Sequence, residues 1–382
     1  MSFIPYSTQD IEQEDVDAVV AVLRADFLTQ GPAVVAFEEA FAERHGVAHA
    51  VAVANATAAL HIGCLALGVG PGSRVWTSPN SFLASANCAL YCGADVDFVD
   101  IDPDTRNMSV LALAAKLEAA EREGTLPAVV IPVDFAGLPC DLADMRELAD
   151  QYGFRILEDA SHATGASYLG RPTGSQHADA TVFSFHAVKI VTTAEGGMIT
   201  TNDSALARKL QLLRSHGMTR EAGEMEAQGE GGWYYEQQDL GFNYRMTDLQ
   251  AALGTSQLGR LDEMHAARVA LADRYDRLLG DLPLKLPARR QDRVSAWHLY
   301  AVETAPERRA ATFVGLREAG IGVNVHYIPI HTQPYYRRLG FKPGDFPAAE
   351  AYYAGAISLP LFPRMTHEQQ DRVADTLRAL LA

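Results

Sequence analysis

Cysteine is scarce in this chain of 382 residues, with four in all. Cys64, Cys88, Cys92 and Cys140 sit in apolar or Gly/Pro-flanked contexts, without the Cys/His spacing that a metal site requires. They read as buried free thiols, the usual state in a reducing compartment. Long apolar runs are missing too. None approaches the ~18–20 residues that would span a bilayer. The opening MSFIPYSTQD has neither the basic start nor the apolar stretch of a secretory signal, so the expected location is cytoplasmic. Positive charge is in deficit, 32 Lys and Arg against 48 Asp and Glu, for a net charge of −16. Such a balance argues against a nucleic-acid partner held through its phosphates. It still allows one anionic small molecule in a locally basic pocket. There is no internal repeat and no low-complexity segment. What remains is an ordinary globular composition, 48% hydrophobic and 21% charged, on a chain long enough for two domains.

The hydrophobic pattern alternates between short β-like runs and amphipathic helices. Strands are expected at 51–53, 74–78, 95–100, 128–133, 154–157, 180–185 and 198–201. Helices are expected at 11–23, 34–45, 83–91, 110–123, 142–152 and 205–213, with another opening at Asn55. This alternation is the mark of a doubly wound, mostly parallel α/β sheet, which binds ligands at the carboxyl ends of its strands. A single long helix is expected over 248–272, capped by Thr247. After a linker at 283–287, strands at 297–302 and 323–328 and helices at 308–319 and 367–381 suggest a smaller α+β unit. The expected division is 1–260 for the large domain with an N-terminal arm and 261–382 for the small one. Residues 217–238, rich in Gly and Glu with Trp233, Tyr234 and Tyr235 near the end, break the pattern. A loop of that length is usually functional or mobile, and a flap near the site or a subunit interface is expected.

The stretch 156–200, ILEDASHATGASYLGRPTGSQHADATVFSFHAVKIVTTAEGGMIT, carries the chemistry. Asp159 closes one apolar strand. Lys189 lies thirty positions on, just past a second strand, and five after Ser184. Lysine is a useful nucleophile only when burial or nearby positive charge lowers its pKa, and it then forms Schiff bases with carbonyls. Pyridoxal phosphate uses such a lysine, and its pyridine nitrogen needs a carboxylate partner. Lys189 is therefore expected to anchor that cofactor and Asp159 to face its ring nitrogen. Asn55-Ala56-Thr57-Ala58 places small residues where a strand runs into a helix. Free backbone N–H groups there favour an anion, so Thr57, Ala58 and Ser184 are expected to hold the phosphate. The three carboxylates of Asp100, Asp102 and Asp104 lack the glycine and distal glutamate of a calcium loop and read as a solvated turn. No metal is expected. His326, Tyr327 and His331, in a Pro-punctuated stretch with no carboxylate or cysteine close in sequence, read as substrate contacts.

EDASHATGA, FSFHAVK and TTAEGGMITTND resemble the DegT/DnrJ/EryC1/StrS family of nucleotide-sugar aminotransferases. IPYSTQDIEQEDVDAVVAVL, LTQGPAV, VAVANATAALHIGCLALGVGPG, VWTSPNSFLASANCALYCGADVDFVDID and NVHYIPIH are similar to one branch, which makes UDP-4-amino-4,6-dideoxy-N-acetyl-β-L-altrosamine for pseudaminic acid biosynthesis. The resemblance implies a fold type I pyridoxal-phosphate architecture: a large domain with a mostly parallel sheet of seven-stranded type plus a smaller C-terminal α+β domain. It implies a UDP-linked 4-keto sugar as acceptor and L-glutamate as donor. It places Phe82 flat against the cofactor ring and His162 near the ring oxygen. Tyr6 and the segment Leu28, Thr29, Gln30 and Gly31 become sugar contacts. Asn243 is assigned to the cofactor phosphate and substrate of a neighbouring subunit, so the active sites would be shared in a homodimer. His186 receives no role. Three alternatives stand beside this reading: another 4-keto or 3-keto nucleotide sugar, a dehydratase of the family, in which His replaces the lysine, and a non-catalytic binding protein of the same fold. One position departs from the family pattern. Ala194 stands where a glycine is usual, which carries a cost if the backbone there has φ > 0.

Overall fold

The computed structural model describes residues 2–227 and 231–382. Its centre is a seven-stranded sheet. In chain order the strands are β1 (His49–Val53), β2 (Arg74–Thr77), β3 (Asp95–Phe98), β4 (Val129–Ile131), β5 (Arg155–Asp159), β6 (Ala180–Ser184) and β7 (Gly197–Thr201). Across the sheet they run β1-β7-β6-β5-β4-β2-β3. Only β7 is reversed, antiparallel to both of its neighbours. Every residue of β6 and β7 is buried. That explains why these strands read as continuous runs rather than alternating ones: helices cover both faces of the sheet.

The helices that matter for the site are α1 (Gln13–Leu23), α2 (Pro32–His45), α3 (Ala56–Ala66), α4 (Ala84–Tyr91), α5 (Val110–Glu123), α6 (Leu142–Tyr152) and α7 (Ser204–Arg214). Their ends follow local chemistry. The Asn55 side chain caps α3, Ser109 caps α5, and α2, α5 and α6 each stop at a glycine in the left-handed region.

The long helix expected over 248–272 is two helices, α8 (Asp248–Gly259) and α9 (Leu261–Leu279). The break follows Gly259, a poor helix former. Arg260 leaves helical geometry, and its Nη2 binds Asp15 Oδ2 and the Asp10 carbonyl, each at 2.9 Å. Asp15 also accepts from Ser256 and Gln257, so this cluster locks α1 onto α8.

Two other sequence expectations change. The strand expected at 297–302 starts later, at Tyr300–Glu303, because Trp297 has φ +51° and cannot lie in a strand. No strand forms over 323–328. Asn324 makes one bridge to Ser358 while its own Oδ1 takes the Val325 N–H, and Pro329 follows. Within 217–238, Met218–Thr219 pairs with Glu236–Gln237. Residues 228–230 of that expected flap lie outside the described residues.

A second apolar cluster joins the later turns of α9 (Leu271, Tyr275 and Leu279) to Tyr300, Leu316, Ile357 and Leu377. Ile4 belongs to it as well, because the N-terminal arm pairs with Gly320 and Gly322. The earlier residues of α9, Leu261 and Met264, pack with the sheet instead. Ile330, Tyr336 and Tyr352 also pack against the sheet cluster. The α8/α9 junction therefore divides the helices, while the apolar clusters interlock across it. All four cysteines are free and buried, as their contexts suggested.

Candidate active site

The carboxyl edge of the sheet opens into a cavity of about 970 Å³. Small-molecule sites span about 300–1,000 Å³, so this one could hold a cofactor and part of a substrate. Asp159, Ser184, Lys189 and the start of α3 reach it from three strand ends. The arm and the C-terminal segment supply Tyr6, His298, His326 and Tyr327.

Asp159 is buried and well held. Its Oδ1 accepts from the Ser161 N–H at 3.1 Å and the Ser161 hydroxyl at 2.5 Å. Its Oδ2 accepts from Ser85 Oγ at 2.6 Å, and Ser85 is hydrogen-bonded to Ser81 at 2.7 Å. Both serines come from the turn and first helical residues after β2, so the segment that follows one strand orients the carboxylate at the end of another.

Behind Asp159 lies a second acidic pair. Glu158 and Asp134 are fully buried. Burial pushes Glu158 well above the usual carboxyl range and Asp134 up to about 7. Thr181 donates to Glu158 Oε2 at 2.6 Å and the Cys140 N–H to Asp134 Oδ1 at 2.8 Å. The other oxygens, Glu158 Oε1 and Asp134 Oδ2, have no further partner among the described residues. A proton on Glu158, donated to Asp134, satisfies both.

Lys189 follows β6 through a turn closed by its N–H and the His186 carbonyl, 2.9 Å. Burial lowers its ammonium to about 8, while the charge of Asp159 pulls the other way. At that value a useful fraction of the amine is neutral near physiological pH. His162 is neutral for the same reason: burial, and then Lys189 and His326, hold it well below the usual histidine value. The Ala136 N–H donates to His162 Nδ1 at 3.3 Å, so the proton sits on Nε2 and points to the Tyr327 hydroxyl, 3.1 Å away.

The start of α3 opens onto the cavity. Asn55 Oδ1 accepts from the Ala58 N–H at 2.8 Å, which takes one of the donors expected to serve a phosphate. Thr57 and Ser184 line the cavity beside it. β7 must approach closely here, since a Cβ on Gly197 would lie 2.7 Å from Ala56 N. The turn before β7 contains Ala194 at φ +65°, so the strain anticipated for an alanine there is real.

Ten of the expected site residues meet in this cavity: Tyr6, Thr57, Ala58, Phe82, Asp159, His162, Ser184, Lys189, His326 and Tyr327. Phe82 is 59% exposed at its wall, with its ring 6.4 Å from that of Tyr327. Leu28, Thr29, Gln30 and Gly31 stand elsewhere. They wrap the start of α8, where Asp248 takes the Gly31 N–H at 2.9 Å and Leu28 is 47% exposed. Asn243 is exposed, and its backbone bridges to Ser215. His331 is fully buried outside the cavity, and its Nε2 lies 2.8 Å from Glu350 Oε1. The carboxylate partner that its sequence neighbourhood lacks is thus supplied by the fold, from nineteen residues away. The described part of 217–238 does not line the cavity. In the acidic turn, Asp102 Oδ1 takes the N–H groups of Asp104 and Thr105.

Sequence reasoning missed Ser85 and His298. Ser81 and Ser85, four apart across the start of an apolar helix, were a legible signal. His298 had none, because only tertiary contacts bring it to the site.

These residues suit pyridoxal phosphate: an amine lowered toward neutrality, a held carboxylate, and a helix start flanked by hydroxyls for the phosphate. Among the described residues no helix is long and apolar enough to cross a membrane.

Comparison with known proteins agrees with this geometry. The profile of the DegT/DnrJ/EryC1/StrS aminotransferase family matches residues 9–378. The spore coat polysaccharide biosynthesis protein SpsC of Bacillus subtilis is 41% identical over 386 residues, covering 99% of this chain and 97% of the relative. Among solved structures, the putative sugar aminotransferase Spr1654 of Streptococcus pneumoniae in its PMP-form superposes with a TM-score of 0.91 at 31% identity, over 99% of this chain and 98% of that one. PseC of Helicobacter pylori, an aminotransferase of pseudaminic acid biosynthesis, superposes at 0.88 and 31% identity, over 100% and 99%. The chain belongs to the DegT/DnrJ/EryC1/StrS aminotransferase family and is a pyridoxal-phosphate-dependent enzyme of fold type I that aminates sugars.

Proposed function

We propose that the enzyme transfers the amino group of L-glutamate to C4 of a UDP-linked 4-keto-6-deoxy-N-acetyl-L-hexosamine. The product would be UDP-4-amino-4,6-dideoxy-N-acetyl-β-L-altrosamine, for pseudaminic acid biosynthesis in the cytoplasm. The observation that carries this reading is the convergence of Tyr6, His326 and Tyr327 on the cavity that holds Lys189, the first from the arm and the others from the NVHYIPIH segment. The likeness to PseC supports it.

Bound pyridoxal phosphate supplies an electron sink for the carbanion formed at the reacting carbon. The chain does the rest. Lys189 Nζ, neutral in part near pH 8, removes the α-proton of glutamate and in the return half delivers a proton to sugar C4. Asp159 is the residue to face the ring nitrogen, with Ser85 and Ser161 fixing its direction. Ser184, Thr57 and the start of α3 are those to hold the phosphate. His162 is the one to meet the ring oxygen.

In this reading Leu28–Gly31 and Asn243, which lie outside their own chain's cavity, serve the cavity of a second copy. The exposed apolar side chains of Val16, Leu23, Phe27, Leu28 and Leu240 support a homodimer. Mixing Lys189→Ala with Asn243→Ala protein tests the sharing: restored activity supports it, and none counts against it.

A second reading, another 4-keto or 3-keto nucleotide sugar, is favoured by the 41% identity to a spore-coat polysaccharide protein. Incubation with glutamate and either the L-arabino or the D-xylo 4-keto sugar, followed by NMR of the product, separates the two. Amination of only the D-xylo sugar would sink the first.

A further inference from the structure

Asn324 lines the cavity beside His326 and Tyr327, and the roles assigned above leave it without one. It is exposed. Its backbone is already paired: the N–H donates to the Ser358 carbonyl at 3.3 Å, and the carbonyl accepts the Ser358 N–H at 2.8 Å. The open surface at this position therefore belongs to the side chain.

The neighbours fix how the amide is turned. One of its two polar atoms faces the Val325 N–H at 2.8 Å, and only an oxygen can accept there, so that atom is Oδ1. Nδ2 then faces His326 Nε2 at 3.4 Å. His326 is uncharged, because burial and then Lys189 lower it to about 4. A neutral imidazole has one N–H and one accepting nitrogen. Nδ2 can only donate, so Nε2 is the acceptor. The ring proton sits on Nδ1 and goes to Ser358 Oγ at 2.8 Å. Ser358 is buried in the strand Ala356–Leu359, which pairs with Tyr300–Glu303. The amide is thus aimed by a chain of hydrogen bonds anchored in a sheet, and both His326 nitrogens are used within the protein.

An amide has two N–H donors, and His326 takes one. The other has no partner among the described residues. On an exposed side chain at the cavity wall it can be solvated until a ligand arrives. It stands in the segment of Tyr327, whose hydroxyl lies 3.1 Å from His162, and the His326 ring that aims it is 5.9 Å from the ring of Tyr6. The kind of ligand follows from charge. A neutral N–H suits a hydroxyl or carbonyl oxygen and brings no ion-pair attraction for a carboxylate or a diphosphate. Glutamate offers only carboxylate oxygens, whereas an N-acetyl sugar offers neutral ones.

We propose that Asn324 Nδ2–H donates to a neutral oxygen of the acceptor sugar, its N-acetyl carbonyl or its free ring hydroxyl, and so acts as a specificity-determining residue. This rests on the keto-sugar reading given above.

The test removes one partner at a time. Wild-type enzyme is first offered the candidate UDP-linked 4-keto sugars. The one it converts is carried forward with two analogues, one lacking the N-acetyl group and one lacking the free hydroxyl. Asn324→Ala deletes the amide, and Asn324→Leu takes its place if that protein does not fold. The sugar KM of the variant should rise about tenfold, as for a lost hydrogen bond to a substrate. Its glutamate half-reaction and the absorbance of its bound cofactor should stay within about twofold of wild type. One analogue should lose about the same tenfold with wild type and almost nothing further with the variant, which identifies the oxygen. Titration calorimetry of the UDP-amino sugar product into cofactor-free protein should show the same loss in the variant. An unchanged sugar KM, an equal loss in both halves, or a variant that tells both analogues from the parent sugar as sharply as wild type does overturns the assignment alone. Wild-type inactivity toward every keto sugar overturns the acceptor reading, and this assignment with it.

Discussion

Ser85 Oγ donates to Asp159 Oδ2 at 2.6 Å across the gap between the helix after β2 and the end of β5. The serine belongs to a segment 74 residues away, yet it sets the direction of the carboxylate on which the proposed chemistry depends. A hydrogen bond to a charged group contributes about 1.5–3 kcal/mol. Ser85→Ala should therefore weaken cofactor binding by about tenfold or more, measured by fluorescence titration of cofactor-free protein. Retention of wild-type affinity would show that Ser161 suffices to hold Asp159.

Lys189 reacts only as the free amine. Burial holds its ammonium at about 8, so the rate at which cofactor-free enzyme captures pyridoxal phosphate should rise with pH and level off above about 8. Stopped-flow absorbance gives that profile. A midpoint near the ordinary lysine value of about 10.4 would contradict the burial argument. Lys189→Ala should abolish both the lysine-linked absorbance band and all transamination.

Glu158 and Asp134 predict a pH-dependent stability. Burial raises both, Asp134 to about 7, so the folded state keeps a proton that the unfolded chain releases above the ordinary carboxyl range. Stability from this pair is full below the ordinary carboxyl pKa and declines from there as pH rises through about 7. Glu158→Gln supplies a permanent donor to Asp134. It should flatten the decline seen by urea denaturation between pH 6 and 8, by up to about 1.4 kcal/mol per pH unit for each proton no longer released. An unchanged slope would mean that the pair holds no shared proton.

Ala194 sits at φ +65°, where a side chain is disfavoured. Ala194→Gly relieves that strain but adds freedom to the unfolded chain, for a net gain of about 0.5–1 kcal/mol. Thermal denaturation should show a small rise in Tm with unchanged turnover. A fall in Tm would show that Thr192 Oγ1, which takes the Ala194 N–H at 3.0 Å, already offsets the strain.

Local patterns in the sequence determined the alternation of strands and helices, the helix opening at Asn55, the cap at Thr247, and the spacing of Asp159, Ser184 and Lys189. Each of these depends on contacts within a few residues, or on the rule that parallel strands deliver their carboxyl ends to one edge. Tertiary structure alone decided what lay between distant segments. Arg260 breaks the long helix because its partners, Asp10 and Asp15, arrive from the N-terminal arm and α1. His331 and Glu350 become partners across nineteen residues. His298 reaches the cavity because the turn around it is hydrogen-bonded to Ala136 and Gly137, far away in the chain. Burial did the rest. A lysine or a glutamate carries its ordinary pKa in sequence, and only the surrounding apolar layers lower the one and raise the other.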